Sequence, residues 1–270
     1  MRLSKPILFL VLLLCYLGLA SQVSLCSWNL QNFGKSKSDS AIKFIAKTVK
    51  DFDLVCIVEV VSGRGGAEAV ARLADELNRS GWKWDYSVSH STSSTGGGSE
   101  RYACLWKSAR LKKIGEAMLE KHYSNEFERE PYIMSFAEKN GNFTIALFHA
   151  IPKSKQPETE IKYLKFLPDL YKSSPLLFCG DFNCPPSNNV FNPLKSIGYL
   201  PALQNQKTTL KTKCVKQECL ASEFDNVFFP SEKIKCLKAG VIEFYRAFSE
   251  LKEARRISDH LPVYIQFQWR

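Results

Sequence analysis

The sequence has no Cys/His spacing of the kind that encloses zinc, so its nine cysteines do not make a zinc finger or ribbon. It carries no internal repeat and no sustained heptad, which removes solenoids, propellers and coiled coils. No Pro/Gly/Ser-rich linker divides it. Its longest apolar run, residues 7–19, is shorter than the roughly twenty residues a bilayer span needs. Histidine is scarce, with four residues, and acids are fewer than bases, at 27 against 37. The resulting charge of +10 favours a polyanionic partner, nucleic acid or an anionic surface, without choosing between them.

With 45% hydrophobic and 24% charged residues, the 270-residue chain reads as an ordinary globular protein with a substantial core. Residues 1–20 are set aside. Arg2 and Lys5 make a positive start, 7–19 an apolar centre, and Gly18-Leu19-Ala20 a small-residue cleavage site, the three parts of a signal peptide. A lipoprotein anchor at Cys15 fits poorly, because the residues before it are all Leu. The expectation is therefore a secreted or periplasmic protein whose residues 21–270 form a single domain. It would be a monomer with no stable membrane association once the signal is removed. Losing Arg2 and Lys5 takes the charge from +10 to +8. Cys26, Cys56, Cys104 and Cys179 lie in apolar runs and read as small buried hydrophobes. Cys184, Cys214, Cys219 and Cys236 have loop-like or mixed surroundings where an oxidising compartment permits disulfides, with connectivity open.

The chain is organised around Leu176-Leu-Phe-Cys-Gly-Asp-Phe-Asn183, an apolar strand that delivers Asp181 and Asn183 to its carboxyl end. Hard cations such as Mg²⁺ want such oxygens, and a phosphate wants the amide donor. Other strands repeat the pattern. Residues 23–30 bring Asn29, 53–60 bring Glu59 in a run buried on both faces, and 142–149 bring His149. Glu100 leads the strand 103–107, Asp225 starts another, and Asp259 and His260 precede the closing strand 261–269. An acid such as Glu59 in so apolar a strand is costly unless paired, protonated or metal-bound. His90 and His122 read as surface residues. Helices are expected after Ser38, from 63 to about 79, and from Pro157 through Ile161, Leu164 and Leu167. Residues 91–99 read as a flexible loop and the Lys-rich 206–218 as a solvated loop, with a phosphate-contacting role as its alternative. Two histidines with acids and amides are what metal-assisted attack of water on a phosphodiester requires. Acids hold a cation that neutralises phosphate charge, and the histidines take and give protons, each steadied by a carboxylate.

The order and spelling of these segments resemble the endonuclease/exonuclease/phosphatase superfamily, and its deoxyribonuclease I branch in particular. The matching pieces are Ser27-Trp-Asn-Leu-Gln-Asn-Phe-Gly34, Val58-Glu-Val60, Glu100-Arg-Tyr102, Arg129-Glu-Pro131, Phe148-His-Ala-Ile-Pro152, Gly180-Asp-Phe-Asn183, Phe224-Asp225 and Ser258-Asp-His-Leu-Pro262. The resemblance implies a four-layer α/β sandwich, two mainly antiparallel sheets face to face with flanking helices. It implies Glu59 as principal ligand of a divalent cation, Mg²⁺ with Ca²⁺ or Mn²⁺ as alternatives, near Asn29 and Asp259. It implies Asp181 and Asn183 on the phosphate and water, and two acid/base dyads, His260 with Asp225 and His149 with Glu100. Arg129, helped by Arg101, would contact a substrate phosphate. It implies a bridge from Cys184 to Cys219, with Cys214 to Cys219 as the rival. Departures are Val58 where the branch has Gln, glycines at 96–98 where it has a groove-contacting aromatic, Asn226 where it favours a basic residue, and no recognisable calcium loops. The expected activity is metal-dependent endonucleolytic hydrolysis of DNA with low sequence preference, since backbone contacts carry no base information. The rivals are a phosphodiesterase or phosphatase of the same fold acting on a lipid or small phosphoester, and a non-catalytic nucleic-acid-binding module.

Overall fold

The computed structural model describes residues 22–94 and 98–270. The expected leader at 1–20 and the glycines at 96 and 97 lie outside the described residues. One six-stranded sheet contains β1 (Val23–Phe33), β2 (Leu54–Val61), β3 (Trp84–Val88), β4 (Glu100–Lys107), β13 (Ile234–Val241) and β14 (Val263–Trp269), in the order β13-β14-β1-β2-β4-β3. The second contains β5 (Lys112–Leu119), β6 (Tyr132–Glu138), β7 (Gly141–His149), β8 (Leu176–Asp181), β9 (Tyr199–Pro201) and β12 (Asp225–Pro230), in the order β5-β6-β7-β8-β12-β9. Among the described residues, only β1/β2 and β7/β8 pair in parallel. The three runs that read as buried strands, 53–60, 142–149 and the one from Leu176, join the alternating run 23–30 in these parallel pairs, central in each sheet, where both faces are covered.

The sheets pack face to face over Leu25, Cys56, Val58, Tyr102, Cys104, Leu147, Leu177, Cys179, Val227 and Ile265. Outside the first sheet lie α1 (Asp39–Val49) and α2 (Arg64–Asn78), whose apolar stripes meet Trp28, Val55 and Ile57. Ser38 caps α1 by accepting from Ala41 N at 3.2 Å. Outside the second sheet, Ile161, Leu164, Leu167 and Phe191 cover Ala146, Phe148 and Phe178. This is the expected four-layer sandwich.

Three expectations are corrected. The helix from Pro157 is a chain of short pieces, Glu158–Ile161, Leu164–Phe166 and Leu167–Leu170. Pro168 lacks the N–H that a continuous helix would need there. The Lys-rich loop is a hairpin, β10 (Leu210–Val215) and β11 (Glu218–Leu220), pinned because Leu210 and Leu220 bury themselves in the core at its root. Its disulfide joins Cys214 to Cys219 across the hairpin. Cys184 instead is a buried thiol packed with Phe182 and Phe191, so the Cys184–Cys219 bridge does not form. Cys236 is in strand β13 as a free thiol. A last helix, α3 (Leu251–Ile257), runs into the His260 segment.

Candidate active site

Register places the polar residues in a row. His149 of β7 lies opposite Asp181 of β8, which lies opposite Asp225 of β12. Neighbours in register point to the same face, and the apolar residues two before or after them (Leu147, Cys179, Val227) face the other sheet. All three polar groups therefore enter the space between the sheets at its rim. The approach of β8 to β7 depends on Gly180. Its φ is +135°, and a Cβ there would sit 1.9 Å from the Phe148 carbonyl oxygen.

The facing sheet delivers Asn29, Glu59 and Glu100. Asn29 and Glu100 follow the alternation of Leu25 and Tyr102, which face inward. Glu59 does not, because Leu54, Cys56 and Val58 are the inward residues of β2. A bulge turns it in: Glu59 has φ of +60°, and the β2/β4 register shifts between Ile57 and Val60. Beside it β1 shifts between Asn29 and Phe33, with Gln31 and Asn32 also at positive φ. Such conformations cost on the order of 1–3 kcal/mol each and persist where surrounding bonds fix them. Here Asn32 N donates to Glu59 Oε2 at 3.1 Å and Gln31 N to Asn29 Oδ1 at 2.9 Å.

His260 is fixed from three sides. Its N–H donates to Ser258 Oγ at 2.9 Å, Ser258 Oγ donates to the Asn29 carbonyl at 2.6 Å, and Trp28 Nε1 donates to the His260 carbonyl at 2.7 Å.

The two histidines are held alike. His149 Nδ1 donates to Glu100 Oε1 at 2.7 Å, and His260 Nδ1 donates to Asp225 Oδ2 at 2.8 Å. Nε2 of His149 lies 3.6 Å from Asp181 Oδ2, and Nδ1 of His260 lies 3.7 Å from the same oxygen. Burial by itself lowers both imidazoles, but the carboxylates outweigh it. His149 ends above its ordinary value through Glu100, and His260 is raised to about 10 through Asp225 and Asp181. Burial likewise favours the neutral acid at Asp181, yet His260 and His149 hold it below the ordinary carboxylate value. Burial pushes Asp225 up to about 6, with His260 and Thr208 pulling back. At neutral pH the His260–Asp225 pair is imidazolium–carboxylate.

The other expected residues divide. Asn183 lines the cleft and donates through Nδ2 to the Ala150 carbonyl at 3.0 Å. Arg129 also lines it, but donates Nε to the His149 carbonyl at 3.0 Å and Nη2 to the Ala150 carbonyl at 2.5 Å, leaving Nη1 toward Glu100. Arg101 is a correction. It follows Glu100 on β4 and so points to the opposite face, where its guanidinium is bonded to the Ser62 and Ser89 carbonyls. Asp259 Oδ2 accepts from Gln31 Nε2 at 3.0 Å and pairs with Arg255 at 3.3 Å.

The oxygen-rich corner lies at Glu59 and Asp181, whose carboxylates share one amide donor. Asn29 Nδ2 donates to Glu59 Oε1 at 2.8 Å and to Asp181 Oδ2 at 3.1 Å. Two carboxylates against one neutral donor suit a hard divalent cation. Asp181, Asp225 and His260 also offer ligand atoms within 4.8 Å of one another, but the last two are already joined to each other. Glu59, with Asp181 and Asn29 beside it, is therefore the better-suited place. The cleft encloses about 500 Å³ and is lined by Glu59, Glu100, Arg129, His149, Asp181, Asn183 and His260 among others.

Two contributors were missed from sequence. Thr208 Oγ1 donates to Asp225 Oδ2 at 2.7 Å and accepts from Asp225 N at 3.0 Å. Lys37 is buried and donates Nζ to the Arg256 and Ile257 carbonyls, closing the end of α3 beside the site. Thr208 sits in the Lys-rich stretch that reads as loop, and Lys37 is one of many lysines, just before the Ser38 helix start, so nothing in the sequence distinguishes them.

A profile of the Endonuclease/Exonuclease/phosphatase family matches residues 26–260. Among curated proteins, a deoxyribonuclease of Thioalkalivibrio sp. (strain K90mix) is 28% identical, with 96% of this chain and 75% of that protein covered. Deoxyribonuclease gamma of Rattus norvegicus is 28% identical over 96% of this chain and 89% of that protein. Among solved structures, an endonuclease/exonuclease/phosphatase family protein from Bacteroides thetaiotaomicron superposes with a TM-score of 0.67 at 14% identity, covering 94% of this chain and all of that one.

Proposed function

This chain belongs to the Endonuclease/Exonuclease/phosphatase family as a deoxyribonuclease I-like phosphodiester hydrolase, and on that premise we propose that it is a divalent-metal-dependent endonuclease cutting DNA with little sequence preference. The observation that carries the reading is the pair of imidazoles, each held through Nδ1 by its own carboxylate, on either side of Asp181 in one cleft. Two proton carriers are what hydrolysis of a phosphodiester consumes. One imidazole in its neutral form takes a proton from the attacking water, and the other as imidazolium gives one to the departing oxygen. Glu100 and Asp225 fix the tautomer, so that in each ring Nε2 is the working nitrogen.

A divalent cation at Glu59, with Asp181 and Asn29 adjoining, would supply charge neutralisation at the phosphate. Mg²⁺ is the first choice for such oxygens, Mn²⁺ and Ca²⁺ the alternatives. Asn183, and the Nη1 of Arg129, are placed to hold phosphate oxygens while the rest of Arg129 keeps the end of β7 in place. The relatives named as deoxyribonucleases and the net charge of +10 support DNA as the polyanion. The same reading puts the enzyme outside the cytoplasm, as a monomer. Support comes from the leader-like residues 1–20 and from the Cys214–Cys219 disulfide, a bond that persists in oxidising compartments.

The test is plasmid nicking with Mg²⁺, with and without chelator, comparing wild type, Glu59→Ala and His260→Ala. Chelator-sensitive nicking by wild type that both substitutions abolish is expected. Intact plasmid with wild type, or equal nicking by His260→Ala, would overturn the proposal.

A further inference from the structure

The hairpin β10–β11 is built onto the catalytic histidine. Thr209 bridges His260, Leu210 N donates to the Asp259 carbonyl at 2.7 Å, and Thr208, just before them, holds Asp225. Arg255 clamps the root, donating Nη1 to the Leu210 carbonyl at 2.7 Å while Nη2 pairs with Asp259. The position of the hairpin relative to His260 is thus fixed by buried contacts.

Its outer half is exposed and positively charged. Residues 207–220 hold Lys207, Lys211, Lys213 and Lys216 against a single acid, Glu218. Glu218, just after the turn, is already engaged: its carboxylate pairs with Lys207 at 3.7 Å and its carbonyl accepts from Lys211 Nζ at 3.2 Å. Among the described residues, no ion pair involves Lys213 or Lys216, and Val215, 60% exposed, stands between them. The tip turns at Lys216 and Gln217, with φ of 50° and 65°. That is the two-residue turn conformation that Asn and Gly favour and that Lys and Gln do not. The Cys214–Cys219 bond closes the same turn. The strand β10 bulges against the three-residue β11, with Leu210 opposite Leu220 and Val215 opposite Glu218, so the paired finger is only about 10 Å long.

We propose that this disulfide-closed hairpin holds the phosphate backbone of a polynucleotide on the His260 side of the cleft, through Lys213 and Lys216. The inference rests on the nuclease reading and adds a binding surface outside the cleft. Neutralising two phosphates with fixed ammonium groups would make the hairpin a source of affinity and of salt sensitivity, without base information.

The test uses the full enzyme. Nicking kcat/KM with Mg²⁺ is measured across a salt series for wild type and Lys213→Gln/Lys216→Gln, and binding of a labelled 20-base-pair duplex is followed in chelator. The double variant should bind about tenfold more weakly, and its log–log salt dependence should be shallower by roughly 0.9 for each phosphate no longer neutralised. The same charge removed from the edge strand β5, Lys112→Gln/Lys113→Gln, should leave both readouts near wild type. Cys214→Ser/Cys219→Ser keeps the lysines but frees the turn, and should weaken binding with the salt slope retained. Identical slopes and affinities in wild type and the hairpin variant, or an equal loss in the β5 variant, would overturn the hairpin's role while leaving the nuclease standing. If wild type neither cuts plasmid nor binds the duplex, the nuclease reading fails and this inference falls with it.

Discussion

His149 and Asp181 are register partners on the two central parallel strands of one sheet, and Nε2 of His149 lies 3.6 Å from Asp181 Oδ2. A base or acid and its neighbouring carboxylate are therefore spaced by backbone pairing and not by loop conformation. The same rung continues to Asp225, and through it to His260. Rigid elements hold the proton-handling groups, while the strained bulges at Glu59 and at Gln31–Asn32 confine the irregular backbone to the oxygen-rich corner.

The dyads should behave as units. Glu100→Gln keeps a hydrogen-bond acceptor for His149 but removes the charge that stabilises its imidazolium. Loss of turnover by roughly 10²–10⁴-fold is expected, the range for a positioned proton carrier. The double variant Glu100→Gln/His149→Ala should be no worse than His149→Ala alone. Additive losses in kcat would show that Glu100 acts independently of His149.

Gly180→Ala should destabilise the protein more than an ordinary surface change. The new Cβ meets the Phe148 carbonyl oxygen at 1.9 Å and demands a positive φ from Ala. A loss of about 3 kcal/mol in denaturant unfolding is expected, because strands β7 and β8 must part or twist. A change under about 0.5 kcal/mol would mean that the strands do not approach this closely.

Arg101→Gln should leave KM for DNA unchanged and lower the melting temperature, because its partners are the Ser62 and Ser89 carbonyls on the outer face. Arg129→Gln should raise KM and lower kcat together, since the same guanidinium lines the cleft and fixes the end of β7. Steady-state kinetics beside thermal melts separate the two arginines.

Much of this site was legible because each strand announced its own polar residue. Asn29, His149 and Asp181 end apolar runs, and burial on both faces of a central strand makes such residues conspicuous. Arg101 was misread because neighbours in sequence sit on opposite faces of a strand, so Glu100 at the site excludes it. Glu59 reaches the site only through a bulge, which breaks the alternation that would have turned it away. The hairpin was hidden because its outer half is exposed and mostly polar, leaving only Leu210 and Leu220 as buried apolar residues to report strands. Cys184 looked loop-like or mixed in sequence, yet it is a buried free thiol in the cluster that holds Phe182 and Phe191, and Cys219 is taken by Cys214.

Stability should carry a signature of His260 above neutral pH. Its folded value, raised to about 10 from 6.5, means the folded state binds this proton more tightly than the unfolded chain. The contribution is fully present below about pH 6.5 and is lost as pH rises toward 10. Asp225, pushed up to about 6 by burial, titrates below this window. Lys37 works in the opposite sense within it. Burial lowers it to about 8 from 10.5, so the unfolded chain holds more protons there and stability gains as pH rises from 8 toward 10.5. Comparing wild type with His260→Asn cancels Lys37, which both retain. The stability advantage of wild type in denaturant unfolding should be largest near pH 6 and shrink steadily to pH 10. An advantage that stays constant across that range would mean that His260 takes up no extra proton on folding, and the imidazolium–carboxylate pair with Asp225 would have to be abandoned.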